Sequence, residues 1–204
     1  MSDPRRLIVG VLLAAGAGSR FGGNKLLAVL PDGRTVGESA CATLRPAVDR
    51  LIAIVRPEAR QLQECLAAAG AEVKIFAEAE QGMGASLAFG VGCAPEADGW
   101  LIALADMPFV GTKDAARIAD MLRAGADIVQ PELQGRRGHP VGFARRFAAE
   151  LEGLQGDTGA RSIIARHPGQ VTSFAVDDEG SWFDIDTVED HAAACASFRR
   201  SAKP

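Results

Sequence analysis

A surplus of basic residues is missing from this chain. Its 204 residues carry a formal net charge of −4, so no broad positive surface is on offer to a nucleic acid. Paired cysteines are missing too. Cys41, Cys65, Cys93 and Cys195 are scattered, with no C-x-x-C pair. That excludes a recognisable disulfide framework or zinc site and fits reduced thiols in a cytoplasmic protein. The three histidines, His139, His167 and His191, stand far apart, and none has a nearby cysteine or histidine in sequence. There is no internal repeat, linker or low-complexity stretch. Arg5-Arg6 before a short apolar run has the look of a signal peptide. The run is too short to span a bilayer, and removing it would delete a loop with evident chemical use. A buried first strand is the better reading, with no membrane partner.

What is present is a regular alternation. With 48% hydrophobic residues, the chain is able to bury a sizeable core, and a single domain over residues 1–204 is expected. Strands are expected at 7–14, 51–55, 73–76, 100–105, 128–130, 141–143 and 171–176, from short, mostly apolar runs. Helices are expected at 35–44, 57–69, 85–93, 112–124, 145–154 and 160–167, and from about Thr187 onward. Thr112 is a candidate N-cap, and Thr187-Val188-Glu189-Asp190 fits a capping box. Alternating strands and helices imply an α/β fold with a mostly parallel sheet.

The segment Leu12-Leu13-Ala14-Ala15-Gly16-Ala17-Gly18-Ser19-Arg20-Phe21-Gly22-Gly23-Asn24-Lys25 leaves the first strand at its carboxyl end, where open α/β sheets bind ligands. Gly16, Gly18, Gly22 and Gly23 are suited to positive φ and to close approach of backbone N–H groups to an anion. Arg20 and Lys25 add full charges, which makes a cradle for a triphosphate. The loop is neither a dinucleotide fingerprint nor a P-loop. Phe21 occupies the place of the third glycine, and Lys25 is followed by Leu26 rather than Ser or Thr.

These residues resemble the signature of the nucleotidyltransferases that activate sugars, cofactor precursors and molybdopterin. The resemblance implies a Rossmann-like nucleotidyltransferase fold with helices on both faces of a mixed, mostly parallel sheet. It implies that Leu13, Ala14, Ala15, Gly16, Gly18 and Ser19 meet the nucleotide and that Arg20 and Lys25 bind and polarise its phosphates.

Asp106 directly follows the apolar run 101–105, where a lone charge is expensive. It is a candidate ligand for Mg²⁺, with Mn²⁺ as the alternative; the competing reading is a cap on the next turn. Asp184 and Asp186 flank Ile185 on one face of an extended segment. The family resembled places a second metal ligand here, so either acid is a candidate.

Three further segments bear on the substrates. Gly82 and Ser86, in Gln81-Gly82-Met83-Gly84-Ala85-Ser86, belong to a glycine loop suited to enclosing a base and ribose. Arg136, Arg137 and His139 share one polar loop; Asp157 and Arg161 share another, which opens a helix. The arginines suit an acceptor ending in phosphate, although each alone also reads as a solvated surface charge.

Together, G-M-G-x-S-L, L-A-D-M-P, G-R-R-G-H-P and G-D-x-G-A-R resemble the molybdenum cofactor cytidylyltransferases, over nearly the whole chain. The resemblance implies transfer of CMP from CTP to the terminal phosphate of molybdopterin, with release of pyrophosphate. L-A-A-G in place of L-A-G-G implies CTP rather than GTP, because the Ala15 β-carbon crowds a purine. The polar segment 32–37 and His139, where Asn is common, depart from the pattern and leave the acceptor open. A related NTP transferase with another phosphorylated acceptor is one alternative. A nucleotide-binding chaperone that delivers the molybdenum cofactor to a downstream molybdoenzyme is another.

Overall fold

The computed structural model describes residues 5–16, 18, 21–177 and 179–201. Its elements in chain order are β1 (Ile8–Leu13), α1 (Val36–Leu44), β2 (Arg50–Val55), α2 (Arg60–Ala68), β3 (Glu72–Ile75), α3 (Met83–Gly92), β4 (Gly99–Leu104) and α4 (Thr112–Arg123). They continue with β5 (Ile128–Leu133), β6 (Arg136–Arg137), β7 (Val141–Ala144), α5 (Ala148–Glu152), α6 (Arg161–Arg166), β8 (Val171–Ala175) and α7 (Val188–Ser201).

One 8-stranded sheet runs β3-β2-β1-β4-β7-β5. β1 pairs in parallel with β2 and β4, and β2 in parallel with β3. β7 is antiparallel to β4 and β5, while β8 runs parallel along β5. β6 adds a short antiparallel ladder, Glu132 opposite Arg137 and Leu133 opposite Arg136. This is a Rossmann-like α/β fold, mixed and mostly parallel.

The pleat explains the apolar runs. Ile8 and Leu12 of β1 enter one core with α1, α2 and α4, through Val36, Leu62, Leu66, Ile118 and Leu122. Val9 and Val11 enter the other with α3, α5 and α6, through Leu87, Val91, Leu151 and Ile163. Both faces of each central strand are covered, so alternation gives way to continuous hydrophobicity. A Cβ at Gly90 would come within 2.6 Å of Val11 Cγ1; glycine there lets α3 lie close on β1.

Several expected boundaries move. α2 starts at Arg60 rather than Pro57, because residues 57–58 form a turn. Gly111, not Thr112, is the N-cap of α4. The arginine loop contains β6. Thr35 caps α1 with a full capping box to Glu38.

The chain leaves β1 toward β2 and β3 and returns to β4 on the other side. The strand order therefore reverses between β1 and β4. Ligand sites of open α/β sheets form at the carboxyl ends of the strands at such a switch.

Candidate active site

A cleft of about 460 Å³ lies at that position. Leu13, Ala15, Gly16 and Gly18 line it from the loop after β1, and Leu104 and Asp106 from the end of β4. Gly82, Met83 and Ser86 close one side at the start of α3, beside Asp157; Lys25 and Asp186 complete the lining with Arg56. Ala14 opens instead onto a smaller adjoining recess.

The glycine loop turns at Gly18 and Gly22, with φ of +57° and +74°. Gly16 and Gly23 do not take the positive φ expected of them. Gly16 contributes space instead, since a Cβ there would meet nothing within 4 Å. Arg20 and Ser19, assigned to the nucleotide from sequence, lie outside the described residues, as does Ala17.

Lys25 opens a single 3₁₀ turn whose entry is capped by Asn24, the Oδ1 of which accepts from Leu26 N at 3.1 Å. That turn brings the lysine inward, where it is only 8% exposed. Its Nζ donates to Asp106 Oδ2 at 2.7 Å and to Asp186 Oδ1 at 2.6 Å. Burial alone would lower the Lys25 pKa; hydrogen bonds and charge from the two aspartates outweigh it and raise the pKa above its ordinary value.

Both carboxylates are held by backbone. Asp106 follows β4, and its carbonyl accepts from Ile185 N at 2.9 Å. Asp186 N donates to Asp190 Oδ2 at 3.1 Å, within the cap of α7. Asp184 is exposed on the other side of the buried Ile185, and the two hydrogen bonds of Lys25 Nζ go to Asp106 and Asp186 instead.

Among the described residues no group of three or more acidic, His or Cys side chains is placed to hold an ion. The Asp106–Asp186 pair nevertheless fits a divalent cation. Asp106 Oδ1 is buried without a hydrogen-bond partner, both donors are hard oxygens, and an ammonium already bridges them. A site of one or two carboxylates, completed by phosphate and water, is what Mg²⁺ accepts.

The residues assigned to the acceptor divide. Asp157 lines the same cleft as the nucleotide candidates, beside Gly82, so its separate assignment does not hold as a spatial one. A Cβ at Gly82, where φ is +110°, would sit 2.5 Å from Asp157 Oδ1 and from Gly156. Arg136 and Arg137 are exposed on β6, outside the cleft lining. Arg161 is exposed at the start of α6. His139 is partly buried, and its Nδ1 is sealed from solvent without a partner. Desolvation lowers its pKa and the Arg161 charge adds to this, against the charges of Asp106 and Asp184.

Arg56 is the residue sequence reasoning missed. It follows the buried β2 as Asp106 follows β4, which was the available signal. Its Nε donates to the carbonyl of Ala15 at 2.6 Å.

Residues 10–171 match the family model described as the MobA-like NTP transferase domain. The chain belongs to this family. Nicotine blue oxidoreductase of Paenarthrobacter nicotinovorans is 33% identical, over 89% of this chain and 93% of that one. Purine catabolism protein PucB of Bacillus subtilis is 30% identical, over 90% and 94%. The crystal structure of Rv0371c from Mycobacterium tuberculosis superposes with a TM-score of 0.84 at 30% identity, covering 95% of this chain and all of that one. A second structure of Rv0371c is a manganese complex, at TM-score 0.78 and 30% identity, covering 94% of this chain and 99% of that one. In this NTP transferase the glycine loop, Lys25 and Asp106 all fall within the matched span. Asp186 lies beyond it and joins them only through the fold.

Proposed function

We propose that this NTP transferase moves CMP from CTP to the terminal phosphate of molybdopterin carrying molybdenum, with Mg²⁺ or Mn²⁺. The observation that carries the reading is Lys25 held between Asp106 and Asp186 on the floor of a glycine-lined cleft. An acceptor phosphate oxygen attacks the α-phosphorus of CTP. The bond from that phosphorus to the bridging oxygen breaks, and pyrophosphate leaves with the electron pair. The acceptor is already an anion, so no base has to remove a proton. A divalent cation on Asp106 and Asp186 would offset charge on the phosphate oxygens. Lys25 donates to those oxygens from the cleft floor, and Gly16 and Gly18, which lack side chains, leave room for the phosphates to approach. Ala15 lines the wall, where its methyl favours a pyrimidine; the sequence motifs of the second half support molybdopterin as acceptor. Arg161 and His139 are assigned to the acceptor on the sequence motifs, and Asp157 lines the cleft beside Gly82.

Each nucleoside triphosphate is to be incubated with purified chain, molybdenum cofactor and Mg²⁺, following pyrophosphate release and product mass. The expected result is a CMP adduct and one pyrophosphate per transfer. A GMP adduct would overturn the choice of base. Absence of any adduct would overturn transfer itself. Because one relative is named an oxidoreductase, a reduced nicotinamide dinucleotide is added as a probe. Its oxidation without pyrophosphate release would favour that second reading.

A further inference from the structure

A second, smaller recess of about 240 Å³ adjoins the cleft on the far side of the glycine loop. Gly16, Gly18, Lys25 and Arg56 line both spaces, whereas Ala14, Gly23, Asn24, Glu58 and the apolar Leu62 belong to the recess alone. Arg56 therefore stands at the passage between them.

The guanidinium is only partly committed. Nε is anchored on the Ala15 carbonyl at 2.6 Å, which fixes the direction of the fork. Nη1 lies 3.7 Å from the carboxylate of Glu58, a side chain 69% exposed on the rim. A contact that long and that solvated is a weak hold. The Nη donors thus stand at a recess lined in part by Gly16, Gly18 and Gly23, and also by Lys25, whose Nζ is bonded to Asp106 and Asp186. That combination suits a compact polyanion with several terminal oxygens. It suits a sugar or a heterocycle poorly, because the recess is small and two cations, Lys25 and Arg56, line it against the single carboxylate of Glu58.

We propose that this recess receives the pyrophosphate half of the nucleotide and that Arg56 is the residue that grips it, with Glu58 as the group displaced. This rests on the nucleotidyl-transfer reading and adds a residue and a location to it. Its Nη atoms meet the leaving group, while its Nε, bonded to the Ala15 carbonyl, fixes the direction of the fork.

Inorganic pyrophosphate with Mg²⁺ is the probe, titrated by calorimetry into the wild-type chain and into Arg56→Ala and Arg56→Lys. Circular dichroism confirms folding, and CTP and GTP turnover are measured alongside. The expected result is a pyrophosphate Kd at least 10-fold weaker in Arg56→Ala. In Arg56→Lys the loss should be nearly as large, because an ammonium cannot copy the fork. The ratio of CTP to GTP turnover should stay near that of wild type. An unchanged pyrophosphate Kd with an altered base ratio would overturn the proposal, reducing Arg56 to a prop for Ala15. Pyrophosphate that fails to bind the wild-type chain would overturn it as well. Failure of the transfer reading looks different: no NTP yields an adduct in wild type, whatever Arg56 does to pyrophosphate.

Discussion

At the scale of single residues, the Lys25 triad has consequences for both stability and metal affinity. Replacing Lys25 with Met leaves two facing carboxylates, one of which has a buried, unpartnered oxygen. Breaking a fully buried pair costs about 3–5 kcal/mol. The Asp186 side chain is 36% exposed, so a smaller loss, on the order of 1–2 kcal/mol, is expected. Mn²⁺ should restore much of it in urea unfolding, because the ion takes the place of the ammonium. A variant as stable as wild type, or one indifferent to Mn²⁺, would rule out the pair as a cation site. His139 makes a pH prediction. Its pKa in the fold lies below the ordinary 6.5, so the unfolded chain binds the proton more readily in that interval. Its contribution is complete above about pH 6.5 and is lost as the pH falls toward the folded value. Unfolding free energy from pH 7 to 5 should fall less steeply in His139→Gln than in wild type; equal slopes would refute this. Lys25 was legible in the sequence because it closes a glycine-rich loop, and Asp106 because a charge beside an apolar strand demands a partner. Arg56 satisfied the same condition but fell between the expected strand at 51–55 and the expected helix at 57–69.

At the scale of elements, α7 positions the second carboxylate. Asp190 Oδ2 accepts from Asp186 N, from Thr187 N at 2.8 Å and from Thr187 Oγ1 at 2.8 Å. Thr187 Oγ1 in turn accepts from Asp190 N at 3.1 Å. The capping box expected from sequence is therefore also the mount for Asp186. Asp190→Ala should cost about 1 kcal/mol as a lost cap and weaken Mn²⁺ binding by about 10-fold as a lost support. Asp190→Asn, which keeps an acceptor, should recover most of both. Metal affinity unchanged in the alanine variant, read by electron paramagnetic resonance, would leave α7 a purely structural role. Elements with strong local signals were readable: β1 and β4 as apolar runs, and the helix at 35–44. β6 was not, because Arg136 and Arg137 have no strand pattern of their own. Only backbone pairing to Glu132 and Leu133 makes them a strand, and that pairing is invisible in side chains. Both arginines are exposed and neither lines the cleft.

At the scale of the whole molecule, the cleft gathers positions from residue 13 to residue 186, and its walls belong to both cores. A ligand that binds there should stabilise the chain as one unit. Binding at 100 times Kd adds about 2.7 kcal/mol, which for a domain this size is a rise of roughly 5–11 °C in Tm. CTP with Mn²⁺ should raise a single calorimetric transition by that amount. Two transitions, only one of them shifted, would divide the chain into separate domains. The hydrogen bond from Ile185 N to the Asp106 carbonyl bears on how such a chain is made. Synthesis runs from the amino terminus, so the glycine loop, Lys25 and Asp106 emerge while the segment holding Asp186 is still unmade. Until that segment docks on the end of β4, the ammonium faces a single carboxylate. The centre thus gains its net negative charge only when the segment holding Asp186 is in place, and a ribosome-stalled chain that ends before it would carry the phosphate cradle without its second acid.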